Sequence, residues 1–158
     1  GPVQLRRAQL ATIVGPFTAI IFKHSLEHVD DPVAELELAG ERLADGGVIV
    51  VDLPIAGGRA WQRFRDNWAD LDAPLHRFLP SPDGMSRIAA RAGLRVLRWD
   101  GSSAAHSYRN SLLIQNGANP ATERPEDHLA PRLLAWCEAQ AKSERGPDAT
   151  QASFVLTK

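Results

Sequence analysis

Two short segments of the chain concentrate the residue types that could do chemistry. The first, Lys23 to Val29, contains the pattern H-x-x-E-H, which on a helix would suit a zinc peptidase with two histidine ligands. Here the pattern follows an apolar run directly and precedes a helix cap at Asp31, so we expect a loop and no metal ligands. The simpler alternative is that Glu27 and His28 cap the following helix or pair with a neighbouring loop.

The second segment, Trp68 to Phe78, combines a large aromatic side chain with carboxylates, a histidine and an arginine. Such a segment can lie over a pocket as a lid, and His76 is its one obvious general-base candidate. The alternative is a surface crossover, in which Trp68 and Phe78 anchor the core and Asp72 pairs with Arg77. Both interpretations stay open at the level of these residues.

The remaining candidates carry less chemistry. His106 and His128 stand alone in polar surroundings and are expected to be solvated. Gly57-Gly58 follows a strand and precedes a helix, but the chain has no glycine spacing typical of dinucleotide or P-loop sites. A flexible turn explains this pair better.

Two apolar runs predict the strands that position the first segment. They are Phe17 to Phe22 and Val48 to Leu53, and their continuous apolar character favours parallel strands buried on both faces. Between them, Asp31 is a plausible N-cap, Pro32 suits the first helical position, and Gly46 is expected to close the helix. Strand, helix and strand within about 40 residues make a right-handed βαβ unit.

The rest of the chain continues the alternation of helices and strands, with an order that predicts an α/β sheet covered on both faces. Residues Tyr108 to Gln115 fit either a helix or a strand. The other expected elements are a helix over Gly58 to Trp68, a helix from the Ser81-Pro82 cap to Gly93, a strand over Leu94 to Trp99, a helix lined by Leu129, Leu133, Leu134 and Cys137, and a final strand over Ala152 to Thr157.

Composition bounds the classes of partner. The chain has 158 residues, enough for a single domain, and a formal net charge of −1, which argues against charge-driven binding to nucleic acid or anionic membranes. Its single cysteine, Cys137, excludes an internal disulfide and fits a reducing cytoplasm, and no apolar run approaches the length of a membrane span. The opening Gly1-Pro2 is typical of a cleaved expression tag.

Several of these stretches, in this order, resemble the small-molecule branch of class I S-adenosylmethionine-dependent methyltransferases. The family has a strand ending in H-x-L-E-H, then a helix, a glycine turn and the next strand, as in Phe17 to Val51. Trp68 to Phe78 is similar to its substrate-side segment, Ser81 to Trp99 to the helix and strand that follow, and Phe154 to Leu156 to its last strand. The family's glycine-rich loop and the acidic end of its second strand have no counterpart here.

The resemblance implies a Rossmann-like three-layer α/β/α fold, with a mostly parallel sheet and an antiparallel last strand. It assigns residues 1–158 to one domain, the C-terminal part of a methyltransferase domain, with strands 4, 5, 6 and 7 of the order 3-2-1-4-5-7-6 and without the N-terminal strands. The implied reaction is methyl transfer from S-adenosylmethionine to an oxygen or nitrogen of a small metabolite or sugar.

The resemblance also implies roles for individual residues. Lys23, His24 and Ser25 would flank the cofactor, and the pair of His28 and His76 would include the group that takes the acceptor's proton. The side chains on the methyl-acceptor side would be Trp68, Asp72, His76 and Arg77.

Strand Phe17 to Phe22 would be central in the family's sheet, yet its neighbour on one side is missing. An unpaired apolar edge invites association with another chain, so we expect a homo-oligomer or another partner at this edge. The segment Val3 to Val14 could cover part of it. A non-catalytic interaction module built from part of a methyltransferase is therefore the alternative function.

Overall fold

The computed structural model describes residues 10–158, which contain four strands and six α-helices. The strands are β1 (Phe17–Lys23), β2 (Leu43–Pro54), β3 (Arg95–Ser102) and β4 (Gln151–Thr157). The helices are α1 (Pro32–Glu41), α2 (Arg59–Phe64), α3 (Pro82–Arg91), α4 (Ala105–Gln115), α5 (Pro125–His128) and α6 (Pro131–Ser143).

The four strands form one mixed sheet with the order β1-β2-β4-β3. β1 and β2 run parallel, with Ile20 beside Ile49 and Ile21 beside Val50, whereas β4 is antiparallel to both of its neighbours. The order corresponds to 4-5-7-6 of the expected sheet, and the last strand is the antiparallel one. The Rossmann-like α/β class is therefore confirmed.

Local sequence signals fixed the starts of two helices correctly. Asp31 Oδ1 accepts hydrogen bonds from the backbone N–H groups of Val33 and Ala34, and Ser81 Oγ accepts one from Gly84. The prediction that Gly46 closes α1 is wrong, because α1 ends at Glu41 and β2 begins at Leu43. Gly46 has a φ of +72°, but it uses this conformation where the register of β2 against β1 shifts.

One face of the sheet carries the main core. Ile49, Val51, Phe154 and Leu156 are fully buried there and pack with α1 and α3. No other part of residues 10–158 covers the opposite face: Ile21 is 64% exposed there, and its neighbours Val50 and Val155 are only half-buried. The expectation that continuous apolar strands are buried on both faces is therefore wrong, because the apolar run of β2 supplies side chains to both faces while only one is covered.

A second apolar cluster joins α2, α4 and α6, with buried members Phe64, Trp68, Tyr108, Leu113 and Cys137. The ambiguous stretch from Tyr108 to Gln115 is helical and belongs to α4. The helix expected over Gly58 to Trp68 is shorter, since α2 stops before Arg65, whose φ of +50° breaks the helix; a 3-10 helix then follows over Arg65–Asn67.

The chain before β1 is described only from Leu10, so the expectations for Gly1-Pro2 and for residues 3–9 lie outside the described residues. Leu10–Thr12 forms a 3-10 helix whose end is tied to α1, because the guanidinium of Arg42 donates to the carbonyls of Ala11 and Ile13. Among residues 10–158, β1 hydrogen-bonds to β2 alone and leaves its other edge unpaired. None of the helices in this range is long and apolar enough to cross a bilayer.

Candidate functional site

The segment Lys23 to His28 is held at the carboxyl end of β1 by a sharp turn. His24 has a φ of +46°, and its backbone N–H donates to Asp52 of the adjacent strand at 2.9 Å. A 3-10 helix, Leu26–His28, then buries Leu26 completely in the core. The H-x-x-E-H pattern therefore lies in a loop and a single 3-10 turn, as expected, and lacks the α-helical spacing that a zinc peptidase needs.

The segment Trp68 to Phe78 lies directly against this loop. The backbone N–H of Arg77 donates to the carbonyl of Glu27 at 2.7 Å. Nδ1 of His28 is 3.1 Å from the carbonyl oxygen of Leu75. These contacts join residues about fifty positions apart, and they match the alternative in which His28 pairs with a neighbouring loop.

At the junction of the two segments Glu27 is fully buried, and neither of its carboxylate oxygens has a hydrogen-bond partner. Oε1 lies 3.4 Å from Nδ1 of His24 and 4.0 Å from Nε2 of His76. The rings of His28 and His76 are 4.9 Å apart between centroids. The structure thus brings together the two histidines that the sequence nominated, and adds a buried carboxylate between them.

The tautomers of both rings follow from their backbone partners. Nδ1 of His76 is 2.8 Å from the carbonyl oxygen of Asp70, and Nδ1 of His28 faces the carbonyl of Leu75. A carbonyl oxygen can only accept, so Nδ1 must carry the hydrogen in each ring. In the neutral imidazoles the lone pair is therefore on Nε2.

A second carboxylate, Asp70, lies beside this cluster. Its Oδ2 accepts a hydrogen bond from Ser107 Oγ at 2.6 Å. Burial raises the pKa of Asp70, and the bond from Ser107 together with the nearby imidazoles of His106, His76 and His24 opposes that rise. Asp70 is partly buried, so its carboxylate and that of Glu27 both lie near imidazole rings.

Other nominated residues have less direct positions. Trp68 is 1% exposed and donates from Nε1 to Ser107 Oγ, which matches the core-anchor interpretation. The expected pairing of Asp72 with Arg77 is wrong: Arg77 Nε lies 3.3 Å from Asp30 Oδ1, and Asp72 is exposed in a left-handed turn. His128 does not stand alone, since its Nε2 is 2.7 Å from Glu123.

A further buried acid was not singled out from the sequence. Glu144 is 1% exposed, and its carboxylate accepts hydrogen bonds from Ser103 Oγ at 2.7 Å and from the Tyr108 hydroxyl. Burial, and then the bond to Glu144, raise the pKa of Tyr108, so the hydroxyl keeps its proton. A Glu in a run of polar residues after α6 carries no signal of burial, so the sequence alone could not indicate this contact.

The family model described as a methyltransferase domain matches residues 3–98, more than half of the chain. The chain belongs to the methyltransferase-domain family. The match includes β1, α1, β2 and α3, and also the two polar segments, Lys23 to His28 and Trp68 to Phe78. The sequence matches no curated protein.

Solved structures of other enzymes have a similar fold. A SAM-dependent methyltransferase from Thermotoga maritima is similar with a TM-score of 0.62 and 14% identity, over 99% of this chain and 64% of that chain. A mycolic acid cyclopropane synthase complexed with SAH has a TM-score of 0.53 and 18% identity, over 96% and 59%. The cyclase SpnF has a TM-score of 0.50 and 17% identity, over 96% and 54%. This methyltransferase domain therefore spans less than two thirds of each of these three chains.

The carboxyl edge of β1 and β2 carries a small cavity in this methyltransferase domain. A cavity of about 230 Å³ opens there, lined by Lys23, His24, Asp52, Leu53, Gln151, Ala152 and Ser153. Ligands of open α/β sheets bind at this edge, but sites for small molecules usually measure roughly 300–1,000 Å³. The lining is mostly polar, and the cavity is smaller than a usual site for a small molecule.

Proposed function

We propose that the protein is an S-adenosylmethionine-dependent methyltransferase that modifies an oxygen or nitrogen of a small metabolite or sugar. The observation that carries the proposal is the family match across residues 3–98, together with the meeting of its two polar segments at the carboxyl edge of the sheet. When bound, S-adenosylmethionine would supply the electrophilic methyl group. The protein's own contribution is to position the acceptor and remove its proton.

Lys23, His24 and Ser25 are the residues that would hold the cofactor in this proposal. All three are exposed, and the first two line the cavity beside Asp52. The turn at His24 points this loop out of the sheet at the place where β1 and β2 end together. A loop fixed on one side by the hydrogen bond from His24 to Asp52 and on the other by the buried Leu26 can orient a ligand at little entropic cost.

The proton acceptor in this proposal is Nε2 of His28 or His76. Both rings have that nitrogen free, because Nδ1 is occupied by a backbone carbonyl. His28 is the more exposed ring and is the better placed to reach an acceptor from solution. Asp72 and Arg77, both exposed on the neighbouring segment, would contact the acceptor's polar groups.

Calorimetric titration with S-adenosylhomocysteine tests the cofactor assignment, using this chain and the complete gene product. We expect saturable binding by the complete product, weakened about tenfold or more by His24→Ala, which is equivalent to roughly 1.4 kcal/mol. His128→Ala is the matched control, since His128 lies on the surface beside Glu123, and it should leave binding unchanged. Absence of binding by the complete product would contradict the proposal.

The open sheet supports a second candidate, in which β1 associates with a second copy of this chain. Among the described residues its outer edge is unpaired, and Ile21 on the open face is 64% exposed. Unpaired apolar edges are templates for strand addition. Light scattering should show a dimer that Ile21→Lys weakens, whereas a monomer at high protein concentration would contradict this association.

A further inference from the structure

We infer that Glu27, His28 and His76 bind a divalent transition-metal ion. Their potential ligand atoms, one from each residue, all lie within 4.8 Å of one another. The inference does not depend on methyl transfer, because it concerns the charge and the lone pairs of these three side chains alone.

The first argument is the state of Glu27. A fully buried carboxylate without any hydrogen bond is expensive, because burial removes its hydration and nothing replaces it. The nearest imidazole nitrogens are 3.4 Å and 4.0 Å away, beyond the roughly 2.7–2.9 Å of a charge-assisted hydrogen bond. A cation between Glu27 and the rings would supply the missing partner.

The second argument is the orientation of the two rings. His28 and His76 each give Nδ1–H to a backbone carbonyl, which leaves the Nε2 lone pair free. Metal-bound histidines show this arrangement, since the outer hydrogen bond fixes the tautomer and the plane of the ring. Nε2 of His76 faces Oε1 of Glu27, so two acceptors oppose each other with no hydrogen between them in the neutral ring.

The third argument is geometric. Zinc ligands at about 2.0–2.1 Å from the metal lie roughly 3.3 Å from one another in a tetrahedron. The 4.0 Å between Oε1 of Glu27 and Nε2 of His76 exceeds this ligand-to-ligand distance by less than about 1 Å. Small side-chain rotations would therefore bring the two atoms to the distance that a bound metal requires. His28 is exposed and gives the ion an entry path from solvent.

The donor set determines the class of metal. Two imidazole nitrogens and one carboxylate suit zinc and its transition-metal neighbours better than calcium or magnesium, which prefer oxygen ligands. Three protein ligands would leave coordination positions for water or for an oxygen of a small molecule. Metal binding and proton abstraction would use the same Nε2 lone pairs of His28 and His76. When the metal is bound, these two histidines are therefore ligands and do not act as bases.

The test is a zinc titration of the purified chain after treatment with a chelator, read by competition with a chromophoric zinc indicator. We expect one zinc ion per chain in the wild type. Glu27→Gln and His28→Ala should each weaken binding by more than about 100-fold, because loss of even an outer partner of a metal site costs about 10–100-fold. His128→Ala should leave affinity unchanged; it removes an exposed histidine that also has a glutamate partner.

Circular dichroism of each variant separates loss of ligand from loss of fold, and His28→Ala is the safer variant because His28 is exposed. Substitution with Co²⁺ adds a direct signature, visible absorption bands that Glu27→Gln abolishes. Failure of the wild type to bind zinc at a stoichiometry of about one ion per chain would overturn the inference. Equal losses in His28→Ala and His128→Ala would overturn it as well, since they would mark nonspecific binding by surface histidines.

Discussion

Two buried glutamates in this domain have opposite surroundings. Glu144 accepts hydrogen bonds from Ser103 and Tyr108, whereas Glu27 accepts none and faces imidazole rings. Both side chains are essentially inaccessible to solvent.

The difference separates a structural role from a functional one. A buried charge with full hydrogen bonding holds its neighbours in place, as Glu144 does for α4 and the chain after α6. A buried charge without such bonds lowers stability until a ligand compensates it. We therefore assign the ligand-binding role to Glu27 with its neighbours His28 and His76. Glu144 already has its hydrogen-bond partners, Ser103 and Tyr108, and has a structural role.

The largest change in the free energy of unfolding should come from the loss of the Glu144 carboxylate. Glu144→Ala removes the acceptor of two hydroxyl groups, one of them on the buried Tyr108, and should lower the free energy of unfolding by about 3 kcal/mol. Urea denaturation measures it. Glu138→Ala on the exposed side of α6 is the control and should change stability by less than about 1 kcal/mol. Equal effects of the two variants would refute the structural role of Glu144.

A smaller loss should follow when only one donor to Glu144 is removed. Tyr108→Phe keeps the ring in the apolar cluster and removes the hydroxyl, so we expect the free energy of unfolding to fall by about 2 kcal/mol. Combining it with Glu144→Ala should cost less than the sum of the two single changes. Strict additivity in this double-mutant cycle would show that the two groups do not interact.

Loss of the charge on Glu27 should change the free energy of unfolding in the opposite direction. In metal-free protein, Glu27→Gln removes an uncompensated buried charge and should raise the free energy of unfolding by about 1 kcal/mol. Urea denaturation in the presence of a chelator measures this change. A loss of stability similar to that of Glu144→Ala would mean that the Glu27 carboxylate already has compensating partners. The two glutamates would then not differ in their surroundings.

The smallest effect is expected at the surface pair of His128 and Glu123. Although their atoms approach to 2.7 Å, both side chains are substantially exposed. His128→Ala should therefore change the free energy of unfolding by no more than about 0.5 kcal/mol. A larger loss would show that short distance alone, without burial, determines the strength of such pairs here.

Much of the fold could be predicted from local patterns, because caps and apolar runs act over a few residues. Asp31 and Ser81 start their helices as expected, and β1 and β2 lie where the apolar runs placed them. The sheet order came from the family resemblance. The sequence from Tyr108 to Gln115 fits a helix or a strand, so local patterns alone do not predict α4.

The candidate site could be predicted only in part, since its contacts are not local. The sequence predicts both His28 and His76 as candidate bases. The contact between their rings depends on hydrogen bonds between segments about fifty residues apart, which no local pattern reports. The orphaned oxygens of Glu27 are a property of burial that no short pattern reports. The sequence alone could not decide the place of Trp68, because an aromatic residue in a polar segment suits a pocket as well as a core.

The most direct measurement of the central claim is the protonation pattern of the imidazoles, obtained from long-range ¹H–¹⁵N spectra of the labelled chain and assigned with His28→Ala and His76→Gln. We predict that His28 and His76 carry hydrogen on Nδ1, and that zinc shifts the Nε2 signals of these two rings while that of His128 stays in place. Hydrogen on Nε2 of either ring in the neutral form, or a zinc response confined to His128, would contradict the account.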